Sequence, residues 1–228
     1  MNRLTCLQTL IKQRKFNRYL EIGVANGQIF FNVNCTVKMA VDPDFMLDNW
    51  RILGKIFVNP YNVFNRYFNK TSDDFFREDA PRLYSKKKGQ IALIDGMHEF
   101  AFALRDVENS LRNMTDDGVI ILHDCNPLTS EAACSFVEWK ARGFKGDWSG
   151  DVWKTVLYLR ACRPDLTTFV LDCDYGIGVV TKKPSEALSI SKEDIDKFTF
   201  DDFSAHREKW LNLKPADYFY EYFGLKKQ

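Results

Sequence analysis

Two stretches decide the fold class: Ile91-Ala92-Leu93-Ile94-Asp95-Gly96-Met97-His98 and, downstream, Val119-Ile120-Ile121-Leu122-His123-Asp124-Cys125-Asn126-Pro127. Ile91 to Ile94 and Val119 to Leu122 are unbroken apolar runs, as in strands covered on both faces. Between them Ala103, Leu104, Val107, Leu111 and Met114 recur at helical spacing, one stripe of an amphipathic helix that starts near Phe100 and is expected to end at Asp116-Asp117-Gly118. Strand, helix and strand in that order make a parallel crossover unit. Each strand is followed by an aspartate, Asp95 and Asp124.

Upstream, residues 5 to 15 read as a helix and Tyr19 to Ile22 as a short strand stopping at Gly23. Thr36 to Val41 is a second strand, closed by Asp42-Pro43 because proline bars continuation. Arg66 to Asn69 reads as a third strand. Ser72, with Asp73 and Asp74 behind it, reads as a hydroxyl-capped helix start. Residues 50–66 give no element, because Pro60 and the asparagines Asn59, Asn62 and Asn65 interrupt any period. Downstream, Thr168 to Leu171 and Ile177 to Val180 are separated only by Asp172 to Gly176, so these two strands are antiparallel. The expectation is an α/β, Rossmann-like, mostly parallel seven-stranded sheet with an antiparallel last strand and helices on both faces. That last pair separates it from the nicotinamide-binding kind of sheet, whose strands are all parallel. Pro127 to Trp153 is a long connection carrying Trp139 and Trp148, read as a helix over 131–141 that serves as a lid or simply covers the sheet. Residues 1–183 are expected to form the α/β domain. Residues 184–228 form a helical, aromatic-rich extension, including Phe198, Trp210 and Tyr218, for packing or a homodimer contact.

The 228 residues are 45% hydrophobic and 28% charged, the composition of a folded chain, and by area scaling should bury roughly 70% of the extended surface. A net charge of +1 gives no global field toward nucleic acid or an anionic membrane, so neither is an expected partner. No apolar run approaches bilayer length and Met1 to Cys6 lead into a mixed helix, which points to a cytoplasmic protein. Six scattered cysteines without a CxxC pair read as free thiols.

Glu21-Ile22-Gly23-Val24-Ala25-Asn26-Gly27 lies where the first strand turns, the usual ligand crevice of an open α/β sheet. Ala25 stands where a dinucleotide fingerprint has its middle glycine, and Gly23 and Gly27 leave room for a ligand beside the backbone. Asp42 ends the second strand, where a carboxylate can accept both hydroxyls of a ribose, with Asp44 as the alternative. Asp95 and Asp124, on neighbouring strand ends, repel unless a cation or a proton lies between them. Mg²⁺ suits such a pair, with Asn126 adding a neutral oxygen. His98, three residues past Asp95, is a natural base for a hydroxyl proton. His123 alternates away from Asp124 along the strand and reads as a core or supporting residue.

Together with Thr71 to Phe76 and Gly150 to Lys154, the Asp95-Gly96-Met97-His98 and His123-Asp124-Cys125-Asn126-Pro127 segments resemble the bacterial class I methyltransferases with an "IDGxH…HDCxP" signature, a group associated with glycan and antibiotic-sugar modification. The E-x-G-x-x-x-G pattern from Glu21 to Gly27 resembles that class's first motif. The resemblance runs from Tyr19 to Lys183, with Phe100 where the group commonly has tyrosine. It implies S-adenosylmethionine as methyl donor and a sugar or other small hydroxyl compound as acceptor. The cofactor would be held by Glu21, Gly23, Gly27, Asp42, Ser72, Asp73 and Asp95, with Asp95 near its amino-acid end and Ser72-Asp73 near the adenine. His98 and Asp95 would be the catalytic residues. Asp95, Asp124 and Asn126 resemble the Mg²⁺ site of catechol-type O-methyltransferases, although Cys125 intervenes here. Without a metal, one carboxylate would bind the methionine ammonium and the other would be satisfied by backbone N–H groups. Two other readings remain: a non-catalytic scaffold of the same fold, and an NAD(P)-dependent oxidoreductase, which Ala25 and the antiparallel pair disfavour.

Overall fold

A computed structural model describes residues 1–227. The chain divides into two compact units: one is Arg3–Gly96 with Arg105–Ile121, and the other is Met1–Asn2, Met97–Leu104 and the chain from Leu122 onward. One eight-stranded sheet has the order β3-β2-β1-β4-β5-β7-β6-β8.

The first unit carries helix α1 (Arg3–Arg14), strands β1 (Arg18–Ile22) and β2 (Val37–Asp42), helix α2 (Asn49–Val58), β3 (Arg66–Asn69), helices α3 (Ser72–Glu78) and α4 (Ala80–Leu83), and β4 (Gly89–Ile94). Most of α5 (Phe100–Asn113) and β5 (Met114–Leu122) also belongs to it. β1 lies parallel between β2 and β4, and its last residue, Ile22, is level with Val41 on one side and Ile94 on the other. β3 adds outside β2, with Asn69 beside Asp42. This register makes the strands end together, so the chain leaves at Gly23, Pro43, Lys70 and Asp95 along one edge. The buried runs of β1, β2 and β4 are continuous, as helices on both faces require.

The second unit carries α6 (Phe136–Ala141), α7 (Trp153–Cys162), β6 (Thr167–Leu171), β7 (Ile177–Thr181), α8 (Lys192–Ile195), α9 (Phe200–Leu211), β8 (Leu213–Lys214) and α10 (Tyr218–Phe223). β6 and β7 pair antiparallel. The loop between them turns through three successive left-handed residues, Asp174, Tyr175 and Gly176. β8 pairs parallel with β6. Trp153 of α7 packs on Phe203 and Trp210 of α9, which ties the extension beyond Lys183 to the sheet.

Several sequence expectations shift. The sheet has eight strands rather than seven, the eighth being the two-residue β8. The hydroxyl capping α3 is Thr71, which accepts from the Asp74 N–H, and Ser72 is already helical. α5 ends at Asn113, and Asp116-Asp117-Gly118 lies in the opening half of β5, with Asp116 and Asp117 exposed and Gly118 already buried. The helix expected over 131–141 is confined to Phe136–Ala141, started by a Ser135–Glu138 capping box. Residues 50–66 hold α2, capped by Asp48, and a short 3₁₀ turn over Pro60–Asn62. The six cysteines are unpaired, and among the described residues no helix is long and apolar enough to cross a membrane.

Candidate active site

In the first unit, the β1 turn is built around a buried carboxylate. Asp42 Oδ2 accepts from the N–H groups of Val24 and Ala25, both at 2.7 Å, and Oδ1 accepts from Asp44 N at 2.8 Å. Ala25 sits in the left-handed region at φ +44°, unfavourable for a residue with a Cβ, and the Asp42 bond holds it there. Asp42 therefore anchors the turn, and the exposed carboxylate at this strand end is Asp44. Gly23 has a different reason from the one expected. At φ +82° a Cβ would lie 2.1 Å from the Asp95 carbonyl oxygen, so the glycine admits the neighbouring chain. Gly27 likewise makes way for the Phe31 ring.

Glu21 is buried inside this unit, hydrogen-bonded by the Tyr19 hydroxyl. Burial pushes its carboxyl up to about 8, against the lowering effect of that bond. Lys38, also buried, donates to the Phe30 and Val33 carbonyls and to Asn62 Oδ1. Burial brings its ammonium down to about 8. Ser72 bonds to Asp106, whose carboxyl burial raises to about 7. Asp73 takes a two-pronged bond from Arg105, and Asp95 Oδ2 lies 3.3 Å from Arg3 Nε.

The second unit gathers a second group, on His98, Asp124 and the loop before α7. His98 Nδ1 lies 2.7 Å from the Trp148 carbonyl oxygen, so that nitrogen carries the proton and donates it. Nε2, left as the acceptor, lies 3.4 Å from Asp124 Oδ2. The Trp148 indole stacks on the His98 ring at 5.0 Å, and Trp139 stacks on Trp148 at 4.7 Å. Gly150 makes the closure feasible, since a Cβ there would lie 1.7 Å from the His98 carbonyl oxygen.

Asp124 is buried, with φ at +58°. Oδ1 accepts from Ser149 Oγ at 2.9 Å, and Oδ2 lies 2.8 Å from His123 Nδ1. His123 thus meets Asp124 rather than alternating away from it. β5 ends at Leu122, and the left-handed turn at Asp124, two residues on, cancels the strand's two-residue period. Asn126 is held elsewhere: its Oδ1 accepts from Arg207 Nη1 at 2.5 Å and its Nδ2 donates to Asp172 at 3.2 Å. Ser149, Trp148 and Arg207 carry no motif of their own, and only the tertiary fold brings them to these partners.

A family model described as a methyltransferase domain matches residues 20–125, from β1 to the residue after Asp124. Among solved structures, the chain is similar to the O-methyltransferase TomG from Streptomyces achromogenes, involved in tomaymycin synthesis and solved with SAM. The identity is 11%, the coverage 79% of each chain and the TM-score 0.57. It is also similar to an O-methyltransferase from Bacillus cereus solved with SAH, at 14% identity, 80% of this chain and 82% of that one, and TM-score 0.56. For the SAH-bound Podospora anserina methyltransferase PaMTH1 the figures are 15%, 79%, 78% and 0.52. No curated protein matches the sequence. At such identities the likeness is one of fold: this chain has the Rossmann-like α/β methyltransferase fold, with a methyltransferase-domain match from Leu20 to Cys125.

Proposed function

We propose that the protein is an S-adenosylmethionine-dependent O-methyltransferase acting on a hydroxyl of a sugar or another small molecule. One observation carries the reading: a histidine whose Nδ1 proton is fixed by a carbonyl and whose other nitrogen faces a buried carboxylate at 3.4 Å. His98 Nε2 takes the proton of the acceptor hydroxyl, and Asp124 stabilises the imidazolium that forms. Ser149 Oγ and His123 Nδ1 lie within hydrogen-bond reach of the Asp124 carboxylate oxygens and orient it toward His98.

S-adenosylmethionine, when bound, supplies an activated methyl group on its sulfonium. The residues suited to hold it are those of the β1 turn, from Glu21 to Gly27. Asp42 shapes that turn, and Asp44 presents a carboxylate to the ribose hydroxyls. Ser72-Asp73 and Asp95 follow the neighbouring strands of the same edge. In the second unit a cavity of about 630 Å³, lined among others by Glu99, Phe100, Asp151, Phe198 and Phe200, matches the size of a small acceptor. Carboxylates beside aromatic rings suit a sugar, whose hydroxyls donate while its C–H face stacks.

Of the three residues expected to bind Mg²⁺, Asn126 does not fit, because its oxygen accepts from a guanidinium. Asp95 and Asp124 are carboxylates of the kind that could ligate a divalent cation, with Asp95 beside Arg3 and Asp124 already accepting from Ser149 and His123. The alignment of acceptor and donor, with His98 as base, is the whole of the proposed catalysis.

The test is calorimetric titration with SAM and SAH, followed by methyl transfer from labelled SAM to a panel of sugars and phenols. Micromolar binding with label in an oxygen-linked product is expected. Absence of binding, or label in an N- or S-methyl product, overturns the reading.

A further inference from the structure

A cavity separate from the candidate site lies in the first unit, at the edge where its strands begin. Asn17 precedes β1 and Thr36 precedes β2, and the Val37 N–H donates to the Asn17 carbonyl at 2.9 Å. With β1 five residues long, this edge is roughly 17 Å from the Gly23 turn. The cavity has a volume of about 370 Å³, within the range of small-molecule sites. Its walls come from α1, the links before β1 and β2, and the 3₁₀ turn over Pro60–Asn62.

The lining is one-sided in charge. Lys12 and Lys15 supply two ammonium groups, Ile11 and Phe16 a buried apolar floor, and Tyr61 an exposed ring. Among the described residues no carboxylate lines the cavity. The first acid of the chain, Glu21, is buried with Tyr19. Asp48 caps the start of α2, a ten-residue helix and so about 15 Å before the Pro60 turn. Asp116 and Asp117 lie in the opening of β5, two strands from β1 in the sheet and roughly 10 Å away. Among the described residues no hydrogen bond or ion pair engages the side chains of Lys15, Asn17 or Thr36, or the Tyr61 hydroxyl.

Lys15 also stands where the backbone favours glycine. α1 closes with the Phe16 N–H on the Ile11 carbonyl at 3.1 Å, and Lys15, just before Phe16, takes the left-handed conformation at φ +57°. The chain thus keeps an ammonium at a position that strains its backbone.

We propose that this cavity binds a phosphate monoester, either a sugar phosphate or a nucleoside monophosphate. Two ammonium groups without an acid match the charge of such an ester, about −1.5 to −2 near neutral pH. Thr36 and Asn17 offer neutral donors to the remaining phosphate oxygens. The apolar floor and the Tyr61 ring suit the organic part, which free phosphate lacks.

The test is calorimetric titration of the full chain, without SAM, with ribose 5-phosphate, AMP, ribose, inorganic phosphate and succinate. At least one ester should bind with a Kd below about 1 mM, and ribose at least about a hundredfold more weakly. Tighter binding of AMP supports a nucleotide, and equal or tighter binding of ribose 5-phosphate supports a sugar phosphate. Lys12→Gln should weaken the ester about tenfold. Lys15→Gly should weaken it as much while melting at or above the parent, because glycine relieves the left-handed residue, so the loss cannot be assigned to unfolding. Three results overturn the proposal. One is no binding of either ester. Another is inorganic phosphate or succinate binding as tightly as the esters, which makes the site one for any small anion. The third is displacement of the ester by SAH, which places it in the β1 turn instead. The titration uses no cofactor, so its failure leaves the methyltransferase reading standing, and a protein that binds the ester but not SAM refutes only that reading.

Discussion

Replacing Asp42 with alanine separates two roles that a carboxylate at this strand end can have. In the structure it accepts three backbone N–H bonds, at 2.7, 2.7 and 2.8 Å, and it is 8% exposed. Hydrogen bonds to a charged group contribute roughly 1.5 to 3 kcal/mol each, and donors left unmade in a buried turn add to the loss. Only the bond from Val24 is fully buried, so discounting the other two gives about 3 to 5 kcal/mol for Asp42→Ala. At roughly 2 to 4 °C per kcal/mol for a chain of this size, the melting temperature should fall by about 6 to 20 °C. Asp44→Ala touches no buried bond and should melt like the parent, while its affinity for SAM drops about tenfold or more through loss of charge-assisted bonds to the ribose. Differential scanning calorimetry and isothermal titration on both variants read these outcomes. If Asp42→Ala melts within about 2 °C of the parent and yet loses SAM, the ribose partner is Asp42 and the anchoring argument fails.

His98→Gln should reduce methyl transfer by about 10² to 10⁴-fold with SAM affinity unchanged, as measured by single-turnover transfer and titration; parallel loss of binding would refute the base role. With His98 as the base, incubation with EDTA followed by gel filtration should leave the rate within about twofold; a tenfold gain on adding Mg²⁺ would refute a metal-free proton transfer. Glu21→Gln tests a buried acid. The folded value of about 8 lies above the ordinary carboxyl value of 4.5, so the stabilising state is fully present below pH 4.5 and is lost as pH rises toward 8. The glutamine variant, which keeps a partner for Tyr19, should therefore melt above the parent at pH 8 and together with it near pH 4. A gap independent of pH in thermal melts would contradict the assignment.

What was legible in the sequence is what a two- or 3.6-residue period can carry. Ile91–Ile94 and Val119–Leu122 announce covered strands because helices on both faces demand unbroken apolar runs, and the residues that follow strand ends fall along one edge by the parallel register alone. The site's supports were not legible. Ser149 lies 25 residues from Asp124, Trp148 lies 50 from His98 and Arg207 lies 81 from Asn126, so no local pattern relates them. Ala25 was read as a missing glycine, whereas the chain keeps the left-handed turn and holds it with Asp42. α2 escaped notice because Pro60 and its neighbouring asparagines break the segment, and because an exposed apolar stripe faces no core.

Asp124 shows how backbone and chemistry constrain each other. A non-glycine residue at φ +58° is strained, by about 1 to 2 kcal/mol for a typical side chain and less for aspartate, and on backbone grounds alone Asp124→Gly should stabilise the protein. The side-chain bonds argue the opposite. Ser149 Oγ and His123 Nδ1 both donate to the carboxylate, whose side chain is 8% exposed, and glycine leaves both donors unmatched. Two such bonds at roughly 1.5 to 3 kcal/mol each outweigh the relief, giving a net loss of about 2 to 4 kcal/mol. Asp124→Asn keeps an acceptor oxygen and tolerates the left-handed region, so it should melt close to the parent, yet it removes the charge opposite His98 Nε2. At 3.4 Å, in surroundings with an effective dielectric constant near 20, that charge contributes at most about 5 kcal/mol to the imidazolium; half of that is about a hundredfold in rate. Combined with His98→Gln it should cost nothing further, because the charge acts only through the base. Thermal melts and a double-mutant cycle on the transfer rate decide the matter. A glycine variant as stable as the parent means backbone strain dominates at this residue, and additive losses in the cycle mean Asp124 acts on something other than His98.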